Sequence, residues 1–245
     1  MRTHITKIIC FCILFNKYFS NKIFEFDSIP SENVLSSASI ANKPDTPLPK
    51  DFILCSAHSQ KTIDTINNRG IYVIYQDEKL LQPWLSIGIW VENVLWANVA
   101  FKYWYDLGRV PDYLMQSWIH ICLKIDIEGK SIETNVNGQK LNTVSNVKGL
   151  TPAPKFNLLL GITHDSDQIT RYQFHGQITN IHLIQSGKHN LTSISKRACN
   201  LERNSNIFHW DDMMWTTTNV NETFIDQKIR CPISNKYTLL RIPFQ

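Results

Sequence analysis

The chain has 245 residues, 43% hydrophobic and 19% charged, with 9 Gly and 10 Pro, which excludes collagen, low-complexity disorder and a heptad rod and suits one large domain. The formal net charge is +4, and taking away the three charges of Arg2, Lys7 and Lys17 leaves about +1. That balance points away from nucleic acid or an anionic membrane as partner.

Residues 1–20 carry basic Arg2 and Lys7, no acidic residue, and the apolar run Ile8-Ile9-Cys10-Phe11-Cys12-Ile13-Leu14-Phe15. This is the layout of a signal peptide that is removed on export, and the run is far short of the roughly 20 apolar residues that span a bilayer. Residues 21–50 are rich in Ser, Asn and Pro and end Lys43-Pro44-Asp45-Thr46-Pro47-Leu48-Pro49, which reads as a flexible leader outside the core. The globular domain is then expected over 51–245.

From Asp51 the chain breaks into short β-type runs at 52–55, 70–75, 84–91, 118–127, 131–136, 156–160 and 173–184, separated by turn residues. Short, frequent runs of this kind predict an all-β, antiparallel two-sheet sandwich. The clearest run sets Ile119, Ile121, Leu123, Ile125 and Ile127 against Trp118, His120, Cys122, Lys124 and Asp126. Period two over that length predicts a strand with one greasy face. Glu128-Gly129 then turns the chain, and Asn137-Gly138 is a dipeptide favoured in tight hairpins, so a consecutive meander is expected. Gly176 permits a bend within 173–184. A short helix is expected near 191–199, and two glycosylation sequons begin at Asn190 and Asn221.

Cys10 and Cys12 leave with the signal, so four of the six cysteines remain: Cys55, Cys122, Cys199 and Cys231. An even number in an exported chain argues for disulfide bonds, with three connectivities open. None shows zinc-site CxxC spacing.

Chemistry that a secreted β protein could carry finds little support. Retaining glucanases of sandwich fold place two carboxylates on one strand face; Glu25-Phe26-Asp27 begins such a motif, but Pro30 stands where its last Glu belongs. Asp126-Ile127-Glu128 puts its carboxylates on opposite faces or in a turn. His175 and His182, an odd number of positions apart in a strand, point to opposite faces, so with His164 and His189 they read as structural groups. The aromatics Trp84, Trp90, Trp96 and Phe101-Lys102-Tyr103-Trp104-Tyr105 divide between core and a binding surface for sugar rings or a protein. Tyr103, Trp104 and Tyr105 are the candidate ligand contacts.

Several of these motifs occur in a known order: an early Cys, Trp118-x-x-x-Cys122 in a strand, Gly129, Asn137-Gly138, Leu160-Gly161, Phe174-His175-Gly176-Gln177-Ile178, and Asn206-Ile207-Phe208-His209-Trp210. Over about 51–215 the chain resembles the pentraxin family, within the concanavalin-A-like and laminin-G-like jelly rolls. The resemblance implies a jelly-roll sandwich with Trp118 and Trp210 in its core and Cys55–Cys122 as the family's characteristic disulfide. Cys199 then pairs with Cys231 as an additional local clamp. It also implies calcium-dependent recognition of phosphorylated head groups or sugars, usually by ring-shaped homo-oligomers. The matching ligand positions are Asp77, Glu78 and Asp165, with Asp167 as a local substitute, but Thr163 stands where the family has Glu, and calcium wants six to eight oxygens. No cofactor is therefore expected, Ca2+ being the one that the resemblance leaves open.

The expected protein is a secreted, non-enzymatic, lectin-like recognition module for an extracellular glycan, head group or protein surface. The alternative is a laminin-G-like adhesion or protein-interaction domain.

Overall fold

A computed structural model describes residues 21–26, 36–40, 48–60, 69–77, 82–114, 118–152, 157–164, 171–187, 189–197 and 206–225. In chain order the strands are β1 (Asn21–Phe26), β2 (Ser37–Ile40), β3 (Asp51–Gln60), β4 (Arg69–Asp77), β5 (Gln82–Ile89), β6 (Val94–Val99), β7 (Tyr103–Arg109), β8 (Ile119–Asp126), β9 (Ser131–Val136), β10 (Gln139–Ser145), β11 (Leu158–Leu160), β12 (Ile162–His164), β13 (Arg171–Gln173), β14 (Gly176–Gln185), β15 (Asn206–His209), β16 (Trp215–Thr218) and β17 (Asn221–Ile225). Helix α1 (Leu191–Arg197) lies between β14 and β15.

The first sheet runs β10-β9-β8-β3-β14-β1-β17, with β15 also paired to β14; the second runs β16-β2-β11-β4-β5-β6-β7. The pairings are antiparallel, and β12 and β13 form a separate ribbon. The inner faces enclose one large core that includes Phe24, Phe26, Phe52, Leu54, Ile74, Trp84, Leu107, Ile121 and Trp210. This is an all-β sandwich, as the run lengths predict, of the jelly-roll form that the resemblance implies.

Strand β8 shows how the alternation is used. Ile119, Ile121, Leu123 and Ile125 enter the main core. The opposite face was expected to be wet, yet His120 and Cys122 are also buried. The reason is α1, whose Leu191 and Ile194 cover Ile53, Cys55, Cys122 and Ile184 on the outer side of the first sheet. Trp118 lies just before the strand and is half-buried, so it is not the core anchor that was expected, whereas Trp210 is buried in the core.

The expected leader also needs correction. Residues 21–26 form β1, inserted between β14 and β17, and residues 37–40 form β2, between β16 and β11. Ile23, Phe24, Phe26, Ala38 and Ile40 are all buried. Full burial of each Phe stabilises by roughly 1.5–3 kcal/mol, enough to bring a polar-looking segment into the sheets. Trp210 fixes β1 further: its Nε1 donates to the Lys22 carbonyl at 2.9 Å, and its ring meets Phe24 edge-on at 5.0 Å. The expected run 173–184 is in fact divided, with Gln173 ending β13 and Gly176, at φ 146°, opening β14.

Three hairpins among the described residues turn through two consecutive residues of positive φ, one of them Glu92-Asn93 (φ 66° and 61°) between β5 and β6. Asn137 and Gly138 (φ 51° and 78°) link β9 to β10, and the Gly138 N–H donates to Ser195 Oγ at 2.9 Å. A Cβ at Gly138 would stand 2.4 Å from the Lys196 side chain, so the residue must be glycine. Ala100 and Phe101 (φ 51° and 58°) link β6 to β7. Neither is a residue that favours this conformation, so the turn is held against its local preference by the pairing of the two strands.

Candidate functional site

The outer face of the second sheet carries a cluster of three tryptophans. Leu95, Ala97 and Val99 of β6 face the core, which sends Trp96 and Asn98 to the other side. Across the ladder Trp104 stands opposite Asn98 and Asp106 opposite Trp96, while Ser86 of β5 faces Asn98 from the other edge. Trp90 follows β5 in a tight loop braced by Asn93, whose carbonyl accepts from Val110 N–H at 2.8 Å and whose Nδ2 donates to Asp112 Oδ1 at 3.0 Å. The loop brings the Trp90 ring to 6.2 Å from Trp96 and 5.8 Å from Trp104, with Trp96 and Trp104 4.7 Å apart. Trp96 is fully buried; Trp90 and Trp104 are half-buried and form the accessible part.

Two polar side chains lie among these rings. Asn98 and Ser86 are each 1% exposed, and neither the Asn98 amide nor the Ser86 hydroxyl has a hydrogen-bond partner. A shielded polar group left unpaired costs about 1–3 kcal/mol. Asp106, opposite Trp96, is exposed, and its Oδ1 accepts from Gly108 N–H at 2.6 Å.

This arrangement sorts the expected aromatic contacts. Trp104 belongs to the outer cluster, while Tyr103 and Tyr105 lean against the main core, and the Tyr105 hydroxyl accepts from Lys148 N–H at 2.6 Å. Trp90 and Trp96 replace the two tyrosines as its neighbours. The alternation of 103–105 was readable in the sequence, but the pairing of β6 with β7 that joins Trp96 to Trp104 was not.

The residues implied for calcium are not brought together by anything described. Asp77 ends β4, and Glu78, Asp165 and Asp167 lie outside the described residues. Among the described residues no group of three or more His, Cys, Asp or Glu is placed to hold a metal ion. The Asp126 and Glu128 carboxylates are engaged in the β8–β9 turn: Asp126 Oδ1 accepts from Gly129 N–H at 2.7 Å, and Glu128 pairs with Lys50. Asp27 is outside the described residues.

The first sheet carries buried histidines. Cys55 and Cys122 stand opposite each other on β3 and β8 and form a disulfide; Cys199 and Cys231 lie outside the described residues. Beside that bond His120 Nδ1 is 3.1 Å from the Ser195 carbonyl of α1, and the His182 ring is 4.7 Å from that of His209. His58 Nε2 is 2.6 Å from Ser56 Oγ. Burial pushes His58 down to about 3, aided by His120; it pushes His182 down to about 3, aided by His209 and His120. Burial also lowers His120 to about 4, against its bond to Ser195. These rings are neutral structural groups, as expected of His182; His175 is half-buried ahead of β14, and His189 is exposed. The irregular β14 register between Thr179 and His182, with Asn180 at φ 51°, breaks the simple parity of the strand. Of the sequons, Asn190 caps α1 through Oδ1, which accepts from Ser193 N–H at 3.2 Å, and Asn221 is exposed at the start of β17.

No family model matches the sequence, nor does any curated protein. Solved structures do. A native heptameric SAP-like pentraxin from Limulus polyphemus superposes at TM-score 0.66 and 13% identity, covering 84% of this chain and 95% of its own. This chain has a pentraxin-like jelly-roll fold. A putative carbohydrate binding protein from Bacteroides ovatus matches at TM-score 0.58 and 11% identity over 85% of this chain and 61% of its own. The full extracellular region of zebrafish Gpr126/Adgrg6 matches at 0.58 and 14% over 80% of this chain and 25% of its own. Within the pentraxin-like fold, the tryptophan cluster and α1 occupy the outer faces of opposite sheets.

Proposed function

We propose that this chain is a secreted, non-enzymatic, lectin-like recognition protein whose ligand sits on the tryptophan face of the second sheet, without calcium. The observation that carries the reading is the Trp90–Trp96–Trp104 cluster on a sheet face turned away from the core. Large, rigid aromatic surfaces of this kind provide contact area at little entropic cost. A pentraxin and a carbohydrate-binding protein among the structures of like fold support a binding role over a hydrolytic one. No helix among the described residues is long and apolar enough to cross a membrane.

The test is binding of the purified exported protein to immobilised glycans and to phosphate head groups, in millimolar calcium and in EDTA. Saturable binding that survives EDTA is expected. Binding abolished by EDTA would return the site to Asp77, Glu78, Asp165 and Asp167. A protein-interaction domain is the second reading, favoured by the likeness to the Gpr126/Adgrg6 extracellular region; it predicts no glycan binding in either condition.

A further inference from the structure

We infer that the tryptophan face reads a neutral pyranose sugar, with Asn98 and Ser86 as the groups that recognise its hydroxyls. The inference rests on the lectin-like reading and assigns the ligand class within it. Three observations carry it.

The first is the chemistry of the accessible rings. A pyranose has one face rich in C–H groups, which stacks on indole, and an edge of hydroxyls that must be hydrogen-bonded. Trp90 and Trp104 offer the stacking surface, and Trp104 lies on β7, the terminal strand of its sheet, whose outer edge meets β10 of the first sheet, where Asn142 Nδ2 donates to the Asp106 carbonyl at 3.0 Å. Trp104 is also the cross-strand partner of Asn98, which sets the stacking surface and the amide side by side on one face of the sheet.

The second is the pair of unpartnered groups beneath it. Asn98 presents an amide donor and a carbonyl acceptor, and Ser86 a hydroxyl that does both; all three atoms are shielded and unpaired. Sugar hydroxyls are donor and acceptor at once, so they satisfy both ends of the amide, whereas a purely apolar ligand leaves them orphaned. Adding two unpaired polar groups to an aromatic cluster weakens folding and sharpens selection of a hydroxylated ligand.

The third is charge. The carboxylate of Asp106 is exposed at the rim, opposite Trp96. The nearest cation on its strand, Arg109, is engaged with Asp112 at 3.5 Å. A carboxylate so placed accepts from a sugar hydroxyl and repels phosphate, sulfate and sialic acid. Of the ligands open to a lectin-like fold, the neutral sugar therefore fits this face and the phosphate head group does not.

The experiment uses the full exported chain in EDTA against a panel of neutral, sialylated and sulfated oligosaccharides, read by direct binding and by indole fluorescence. Neutral sugars are expected to bind and to change the fluorescence. Trp104→Ala and Asn98→Leu should each weaken binding by tenfold or more, and Asp106→Asn should admit acidic sugars. Asn98→Leu distinguishes a ligand-reading amide from a structural one: it should melt no lower than the parent while losing the sugar. Neutral-sugar binding unchanged in both Trp104→Ala and Asn98→Leu would overturn this inference and the placement of the ligand on the tryptophan face, leaving a lectin-like protein whose site lies elsewhere. Absence of binding to every glycan would overturn both.

Discussion

Lowering the pH from 7 to 5 should remove a large part of the stability of this fold. His58, His120 and His182 are buried as neutral rings, held down to about 3, 4 and 3, while in the unfolded chain each titrates near 6.5. Between those values the unfolded state binds more protons than the folded one, so stability falls as the pH falls. Each group loses about 1.4 kcal/mol per pH unit once well below 6.5, which is about 2 kcal/mol by pH 5 and about 6 kcal/mol for the three. That is comparable to the whole stability of an ordinary domain. Urea unfolding without reductant at pH 7 and pH 5 measures it directly; with a slope of about 3 kcal/mol/M the midpoint should drop by about 2 M. His182→Gln should remove about a third of the pH dependence, whatever it does at pH 7. Equal midpoints for the parent at the two pH values would refute the reasoning, because they would mean that the rings are protonated or solvated in the folded state.

Ala100→Gly should stabilise the protein by about 1 kcal/mol, since Ala100 is exposed and sits at φ 51°, where glycine is unstrained; a lower melting temperature in this variant would contradict a strained β6–β7 turn. Phe24→Ala should cost about 3–5 kcal/mol, a loss readable in the same unfolding assay, whereas a change under 1 kcal/mol would mean that β1 is not part of the cooperative core. Replacing both Cys55 and Cys122 by Ser opens a crosslink between residues 67 apart and should cost up to about 4 kcal/mol in the chain-entropy model; an unchanged denaturation midpoint would rule that contribution out.

The elements visible in the sequence were those whose pattern is local. Alternation in Ile119–Ile127 and the Asn137-Gly138 turn announced β8 to β10 without ambiguity, and α1 was found to within two residues. β1 and β2 were missed for a physical reason: each is short, and it is their distant partners, at 176–178 and 221–225 for β1 and at 159–160 and 215–218 for β2, that make them strands. No window of sequence contains that information. The resemblance to pentraxins carried the fold and the Cys55–Cys122 bond, while three of the four ligand positions it implied, Glu78, Asp165 and Asp167, lie outside the described residues. The tryptophan face was half legible, because Trp104 could be separated from Tyr103 and Tyr105 by parity, whereas its union with Trp90 and Trp96 depends on a loop and a register that only the three-dimensional arrangement displays.

The position of β1 bears on how the chain reaches its folded state. Its partners lie 150 or more residues downstream, with Phe24 beside Ile178 and Asn21 beside Ile225. During synthesis the first sheet cannot be completed until nearly the whole domain has emerged, and meanwhile Ile23, Phe24 and Phe26 stand unburied next to an open strand edge. Contacts this distant in sequence slow folding and prolong the exposure of surfaces that invite aggregation. A chain of this topology is therefore more open to misassembly before its last strand arrives than a meander of local hairpins would be.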